Sequence, residues 1–155
     1  MKKQDGFTLV ELMVVIAIMG ILAASAVGFV AKYRQRTVGS EATVMMKQLL
    51  EAQIIYFLAH DDFFPEWGDA EISVWHNGGG TSAIDQPRAL NSLKVSIPVG
   101  HLLDFRIYRD PTDPAGSPAT VEIISAGNFE LFPGVRGFSQ TVDKTGKIGP
   151  PNKIL

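Results

Sequence analysis

The hydrophobic positions near the start of the chain form one unbroken block. From Leu12 to Ala31 the chain has 20 residues, of which 17 are hydrophobic and three are glycine or serine. At about 1.5 Å per residue, a helix of this length matches the hydrocarbon core of a bilayer, which is about 30 Å thick. The block therefore predicts a helix that can cross a membrane.

Between Lys32 and His60 the apolar residues recur instead at helical spacing. They are separated by three or four residues, and polar residues occupy most of the positions between them. The stripe consists of Val38, Ala42, Met45, Leu49, Ala52 and Tyr56, and is broadened by Met46, Leu50 and Phe57. This pattern predicts an amphipathic helix whose apolar face packs on a sheet. Because no proline occurs before Pro65, one helix can include both segments.

After His60 the pattern changes to strands and loops. All nine prolines and most of the glycines lie in this part of the chain. Apolar and polar residues alternate at 103–108 and at 138–143, which predicts a strand in each, and residues 120–125, with Val-Glu-Ile-Ile, predict another strand between them. The predicted fold class is α+β, with a long N-terminal helix packed on a small antiparallel sheet of three or four strands.

Two further regions of this C-terminal part have weaker patterns. Residues 61–100 are predicted to be rich in loops because they contain Gly78-Gly79-Gly80 and Pro87, with only a short strand at Ile72–Trp75. Residues 143–148, Asp-Lys-Thr-Gly-Lys-Ile, predict a turn into a short last strand.

Charge and composition argue against several classes of function. Residues 61–155 carry 8 Lys and Arg but 12 Asp and Glu, so we predict no nucleic-acid partner. The chain has no cysteine and no phosphate-binding glycine loop, and its three histidines, His60, His76 and His101, lack metal-ligand spacing. We therefore expect no enzyme activity, no cofactor and no metal.

The acidic pair Asp110 and Asp113 admits two interpretations. Each of them directly precedes a proline in Arg-Asp-Pro-Thr-Asp-Pro, and acidic side chains commonly stabilise turns in such a sequence. They could instead be ligands of a calcium ion. The turn interpretation is favoured.

Glu11 stands at the edge of the apolar block, where a carboxylate is unexpected. A charged group near the hydrocarbon costs about 1–3 kcal/mol depending on its depth, so it should have a partner or a function. The simpler alternative is an acid at a helix start, where the helix dipole stabilises it.

The residues around Glu11 carry a family resemblance. Gly6-Phe7-Thr8-Leu9-Val10-Glu11, followed by the apolar block, resembles the class III signal of type IV pilins and of type II secretion pseudopilins. The resemblance covers about the first 31 residues. It implies a long N-terminal helix whose outer half packs on an antiparallel sheet.

The resemblance also implies how the N-terminus is processed. A prepilin peptidase would cut between Gly6 and Phe7, and the same enzyme would methylate the new amine of Phe7. Glu11 would then pair with the Phe7 amine of a neighbouring subunit during assembly. The chain would divide into a leader (1–6), a transmembrane and filament-core helix (7–31), its amphipathic continuation (32–60) and a globular head (61–155).

Partners and location follow from the same resemblance. The precursor would cross the bacterial inner membrane once and contact its lipid, and an assembly platform with its ATPase would then add it to a periplasmic or cell-surface filament of like subunits. Two family features are absent. Gly28 stands where many members have a helix proline, with Gly20 eight residues earlier, and the C-terminal cysteine pair is missing.

Three alternatives to a filament-forming pilin stay open at this point. A pseudopilin of a type II secretion system shares every N-terminal feature. A minor pilin that captures DNA or a surface is the second alternative. Ala24-Ser25-Ala26 also fits a signal-peptidase site, whose cleavage would release a soluble protein starting at Val27.

Overall fold

The computed structural model describes residues 6–69, 71–110, 112, 117–127 and 129–155. The chain forms two compact units, Met1–Arg34 and Gln35–Leu155. The first helix, α1 (Leu9–His60), contributes residues to both units.

The described part of the first unit consists of the beginning of α1 and three residues before it. Every residue from Gly6 to Arg34 is exposed. Gly20 and Gly28 both lie inside the helix, and a Cβ atom added to either would meet nothing within 4 Å. Among the described residues, α1 is the one helix long and apolar enough to cross a membrane. Its exposed apolar surface requires an apolar environment that a single chain in water does not provide.

In the second unit, α1 buries one face against the sheet. The buried apolar residues of this face are Val38, Ala42, Met46, Leu49, Leu50, Ala52 and Tyr56. Met45 and Phe57 are partly buried and pack against the same core. The predicted amphipathic stripe is confirmed.

The sheet has five antiparallel strands in the order of the chain, one more than the largest number predicted. The strands are β1 (Ile72–Val74), β2 (Leu103–Arg109), β3 (Ala119–Ser125), β4 (Gly137–Val142) and β5 (Asn152–Ile154). The alternation predicted for β2 is observed, since Leu103, Phe105 and Ile107 are fully buried and the residues between them are half-buried. The predicted α+β fold class is confirmed.

A second helix, α2 (Ser82–Leu93), occupies part of the region predicted as loop, so that prediction was wrong. Pro87 and the preceding glycines led to the prediction of a loop, but Asp85, Ala89 and Leu93, spaced by four, form a buried stripe on one face of this helix. Contacts with β1 stabilise this helix despite its proline. Tertiary packing thus overrides the local preference.

These contacts run along the outer edge of β1. Asp85 Oδ2 accepts the Ser73 N–H at 2.9 Å, and Ser82 Oγ accepts the Trp75 N–H at 2.8 Å. Thr81 Oγ1 donates to the Ser73 carbonyl at 3.1 Å. Side chains from the start of α2 therefore take the place of a sixth strand.

The predicted turn and short last strand at the C-terminus are both present, but the strand begins later than residues 143–148 indicate. Asp143 Oδ1 accepts the N–H groups of Thr145 and Lys147, which forms the turn. Ile148 makes only an isolated bridge to Val142, and β5 begins after Pro150 and Pro151, residues that have no N–H to donate to a strand. The last strand pairs instead with the first half of β4.

The loop after α1 is fastened to the helix by a buried amide. Asp61 adopts a left-handed conformation with φ 57° and ends the helix, as its N–H donates to the Phe57 carbonyl. The fully buried side chain of Gln53 then binds both backbone groups of Phe64, donating to its carbonyl at 2.6 Å and accepting its N–H at 3.0 Å. This clamp positions Phe63 and Phe64 in the core.

Candidate functional site

The N-terminal end of α1 has the geometry of a capping box. Thr8 precedes the first helical residue, Leu9, and its hydroxyl accepts the Glu11 N–H at 3.2 Å. Glu11 Oε2 reaches back to accept the Thr8 N–H at 2.9 Å and the Thr8 hydroxyl at 2.8 Å. Two backbone donors that no helix turn can satisfy are thereby bonded.

Glu11 is therefore stabilised within its own chain, as the simpler interpretation of a helix-start acid requires. Both contacts end on the same oxygen, Oε2. No hydrogen bond or ion pair to Oε1 is found in the part of the chain that the structure describes. One carboxylate oxygen is thus available to a group from outside the chain.

The other two predicted site residues lie immediately before this cap. Phe7 is 86% exposed, and a Cβ atom added to Gly6 would meet nothing within 4 Å. The structure places Gly6, Phe7 and Glu11 on one accessible segment, although Glu11 bonds to Thr8 rather than to Phe7. Thr8 was not given a role from the sequence, but Thr-x-x-Glu before an apolar run was the pattern that could have identified it.

The three histidines all lie in the second unit, and each makes a separate contact. His60 stacks on Tyr56 with ring centroids 4.1 Å apart. His76 Nδ1 lies 2.8 Å from Asp104, and His101 Nδ1 lies 2.7 Å from Glu41. Within the described ranges no three His, Asp or Glu side chains are grouped so that they could hold a metal ion.

Asp110 belongs to a turn. Its Oδ1 accepts the Thr112 hydroxyl at 2.6 Å and the Thr112 N–H at 2.8 Å, and these bonds hold the pKa of Asp110 below its usual value. Asp113, the second residue of the predicted acidic pair, lies outside the described residues. The contacts of Asp110 fit the turn interpretation.

Comparison with known proteins adds to this geometry. Residues 1–27 match the family model described as "Prokaryotic N-terminal methylation motif". An exposed apolar helix that begins with this motif, together with a head in which helix packs on antiparallel sheet, defines the class of pilin-like proteins. No solved structure matches the chain significantly.

Relatives then identify the family. The chain is 30% identical over 116 residues to the type IV major fimbrial protein FimA of Dichelobacter nodosus, a match that covers 71% of the chain and 67% of that protein. It is 47% identical over 71 residues to the type IV major pilin protein PilA of Myxococcus xanthus, covering 44% of the chain and 32% of PilA. It is 45% identical over 92 residues to a fimbrial protein of Neisseria meningitidis serogroup B, covering 59% of the chain and 50% of that protein.

The chain belongs to the type IV pilin family. It spans about a third of the Myxococcus protein and half of the Neisseria protein that it matches. These relatives are named as pilins and fimbrial proteins, so a pseudopilin of a secretion system is not favoured.

Proposed function

We propose that this protein is the structural subunit of a type IV pilus-like filament. The observation that carries the proposal is the capped, accessible segment Gly6–Glu11 at the N-terminal end of α1. The apolar part of α1 that follows it is not covered by any part of the described chain. Such a helix is soluble in a bilayer before assembly and can pack against copies of itself afterwards. The names of the relatives, major pilins and fimbrial proteins, support the same role.

The proposal includes maturation of the precursor. A prepilin peptidase would cut between Gly6 and Phe7 and methylate the Phe7 amine. The exposure of both residues supports access by such an enzyme. The precursor would cross the inner membrane once, and an assembly platform with its ATPase would move it into a surface filament.

Glu11 would act in assembly through its free oxygen. In low dielectric, an ammonium and a carboxylate attract strongly, whereas either charge alone is costly. The Phe7 amine of a neighbouring subunit would bind Oε1 while Oε2 keeps its bonds to Thr8. The capping box then orients the carboxylate, and correct axial register is the arrangement in which both charges are paired.

Mass spectrometry of the mature protein tests maturation. We expect an N-terminus at Phe7 carrying one added methyl group on its amine. A protein that starts at Val27 would instead be a released soluble protein, and this result would contradict the proposal. An unprocessed chain in cells that contain an active prepilin peptidase would also contradict it.

Substitution of Glu11 tests assembly. Glu11→Ala should leave cleavage and membrane insertion intact but reduce filaments to a small fraction of the wild-type amount, measured by electron microscopy and by sedimentation of sheared filaments. Glu51→Ala is the matched control, because Glu51 is an exposed carboxylate on the same helix that pairs only with Lys47 in the described contacts. Filaments of normal abundance from Glu11→Ala would show that the pairing is not required.

A further inference from the structure

Arg36, at the start of the second unit, is a cation without a partner in its own chain. It is exposed, and in the part of the chain that the structure describes it makes no hydrogen bond or ion pair. Lys32, four residues earlier in α1, is exposed and equally unpaired within the described ranges. Residues at this spacing lie on one face of a helix, so two unpaired cations follow the apolar block on the same face.

These cations need anions once the subunit has left the membrane. In the proposed filament, apolar helices pack together and exclude water beside Arg36, and a charge removed from water without a partner is costly. A subunit in the filament no longer touches lipid headgroups. A second copy of the chain therefore has to supply the anion.

A cavity of the second unit is suited to receive an arginine side chain. It has a volume of about 510 Å³ and lies between the loop that follows α1 and the end of β2. Trp67 in its lining is 51% exposed, and aromatic faces attract guanidinium groups. Glu66, in the same lining, accepts the Tyr56 hydroxyl at 3.2 Å, which places the cavity beside the last turns of α1.

The cavity is acidic, because the arginines around it do not neutralise its carboxylates. Two arginines are each shared between a carboxylate of the lining and a second carboxylate. These contacts are Arg88 with Asp69 at 3.2 Å and Asp85 at 3.3 Å, and Arg106 with Glu71 at 2.8 Å and Glu122 at 3.1 Å. Arg109 is in turn paired with Asp62 at 2.6 Å.

Two more carboxylates of the lining have no cationic partner in the described contacts. Glu66 bonds to the Tyr56 hydroxyl, and Asp110 bonds to Thr112. The cavity thus presents negative charge beside an exposed aromatic face, whereas Arg36 presents unpaired positive charge on the helix. This complementarity favours pairing between copies.

Arg36 cannot reach the cavity of its own chain. The last residue of α1, His60, follows Arg36 by 24 residues, which span about 36 Å at about 1.5 Å per residue. A second copy displaced by about this length along the helix axis brings its Arg36 to the cavity. Phe7 and Glu11 are only four residues apart, so their pairing would join nearer copies.

We propose that Arg36 of one subunit inserts into this cavity of a second copy further along the filament. Its guanidinium group would lie against Trp67 and pair with Glu66 and Asp110. The inference rests on the proposed function, because the contact forms between filament subunits. The experiments below separate a failure of this contact from a failure of filament formation.

Cross-linking can detect the contact, because the chain has no cysteine of its own. Ser40→Cys, one turn after Arg36, and Trp67→Cys would be combined in the full chain, which keeps every charge of the contact. Sheared filaments would be treated with a bifunctional maleimide about as long as an arginine–glutamate pair. Within one chain, Ser40 and the end of α1 are about 30 Å apart, too far for this reagent.

We expect a ladder of dimers, trimers and longer products on a denaturing gel. A chain with only one of the two cysteines can give no product longer than a dimer, and we expect neither single variant to give one. Ser40→Cys with Ser96→Cys is the matched control, because Ser96 is exposed on the second unit and does not line the cavity. This control should give no ladder.

Charge reversal tests whether assembly uses the contact. Arg36→Glu should lower the amount of sedimentable filament by about tenfold or more, because it brings like charges together. Glu66→Arg should do the same, and the two changes in one chain should restore a large part of the filaments. Lys47→Glu is the control, since Lys47 is an exposed cation on the same helix that pairs within its own chain with Glu51. It should have little effect.

Several results would overturn the proposal. Normal filaments without a ladder would exclude the contact and leave the proposed function intact, whereas an unsubstituted chain that forms no filaments would contradict the proposed function and this inference with it. If Glu66→Arg fails to restore Arg36→Glu, and Arg36→Glu releases the precursor from the membrane, Arg36 binds anionic lipid headgroups instead. If the two-cysteine chain does not assemble, charge reversal still decides the matter.

Discussion

Replacement of Gln53 by leucine should strongly destabilise the second unit, because the Gln53 amide fastens the loop after α1 to the helix. Leucine has a similar size but offers no hydrogen bond. The Phe64 N–H and carbonyl, bonded to the amide at 3.0 and 2.6 Å, would both lose this partner in a buried position. Each such group costs about 1–3 kcal/mol, and the added apolar burial of leucine returns about 1 kcal/mol. The expected loss is about 1–5 kcal/mol.

Thermal unfolding of a chain that begins at Gln35 would measure this loss. All buried apolar residues of the core lie in that unit, so we expect it to fold without the preceding residues. For a unit of about 120 residues, 1 kcal/mol corresponds to about 4 °C, so the melting temperature should fall by about 4–20 °C.

A matched control is available on the same helix. Gln48 is exposed, and Gln48→Leu should change stability by no more than about 0.5 kcal/mol. If Gln53→Leu and Gln48→Leu melted at the same temperature, the buried amide would not be what holds the loop, and the reasoning would be refuted.

Three further predictions concern single positions of the second unit. Gly39→Ala should destabilise it by about 1–2 kcal/mol in thermal unfolding despite the better helix propensity of alanine, because the new Cβ would lie 2.6 Å from the Leu131 carbonyl oxygen; an unchanged melting temperature would contradict this close approach. Lys94→Gly should stabilise the second unit by about 1 kcal/mol, because Lys94 ends α2 in the left-handed region with φ 58°, which glycine adopts without strain. A lower melting temperature would show that the lysine side chain contributes more than the backbone strain costs. Hydrogen bonds, above all from the Thr145 hydroxyl, hold the pKa of Asp143 below its usual value. The ionised Asp143 therefore stabilises the folded state at pH values above its unfolded pKa, and this contribution is lost as the pH falls through the folded pKa. An NMR titration should show Asp143 titrating lower in the native chain than in Thr145→Val, and identical midpoints would exclude the bond.

The features predicted correctly from the sequence are those with a local period. The apolar face of α1 repeats at three and four residues, and the buried positions of β2 repeat at two, so each can be recognised without knowledge of its partner. Strand pairing follows the order of the chain, which makes the sheet accessible to the same reasoning.

Features that depend on distant partners were not predictable in this way. In isolation, α2 has a proline in its second turn, and its stabilising contacts are with β1. Arg109 continues the two-residue repeat of the buried positions of β2, but the pattern does not show what a buried arginine there would bind. Its burial is caused by Asp62 and Phe63, which are 47 and 46 residues away in the chain. The partners of Arg109 therefore have no signature in the sequence.

The edges of the sheet bear on how copies of this protein can join. An open strand edge is a template for pairing with another chain. The β1 edge is closed by side chains from Ser82 and Asp85, and β5 on the other side is only three residues long, follows two prolines and contains Lys153. Neither edge therefore offers a long run of free backbone groups.

The N-terminal unit, unlike the sheet edges, offers a large surface for association: every described residue from Gly6 to Arg34 is exposed, and most of them are apolar. Burial of apolar surface contributes about 25 cal/mol per Å², so packing such helices together supplies a large driving force without any strand pairing. That force has no direction, and it alone would allow many axial positions of one helix on another. In the proposed filament, register then has to come from the charged end of the helix. There the Thr8 cap fixes the orientation of Glu11 and leaves one oxygen for a neighbouring amine.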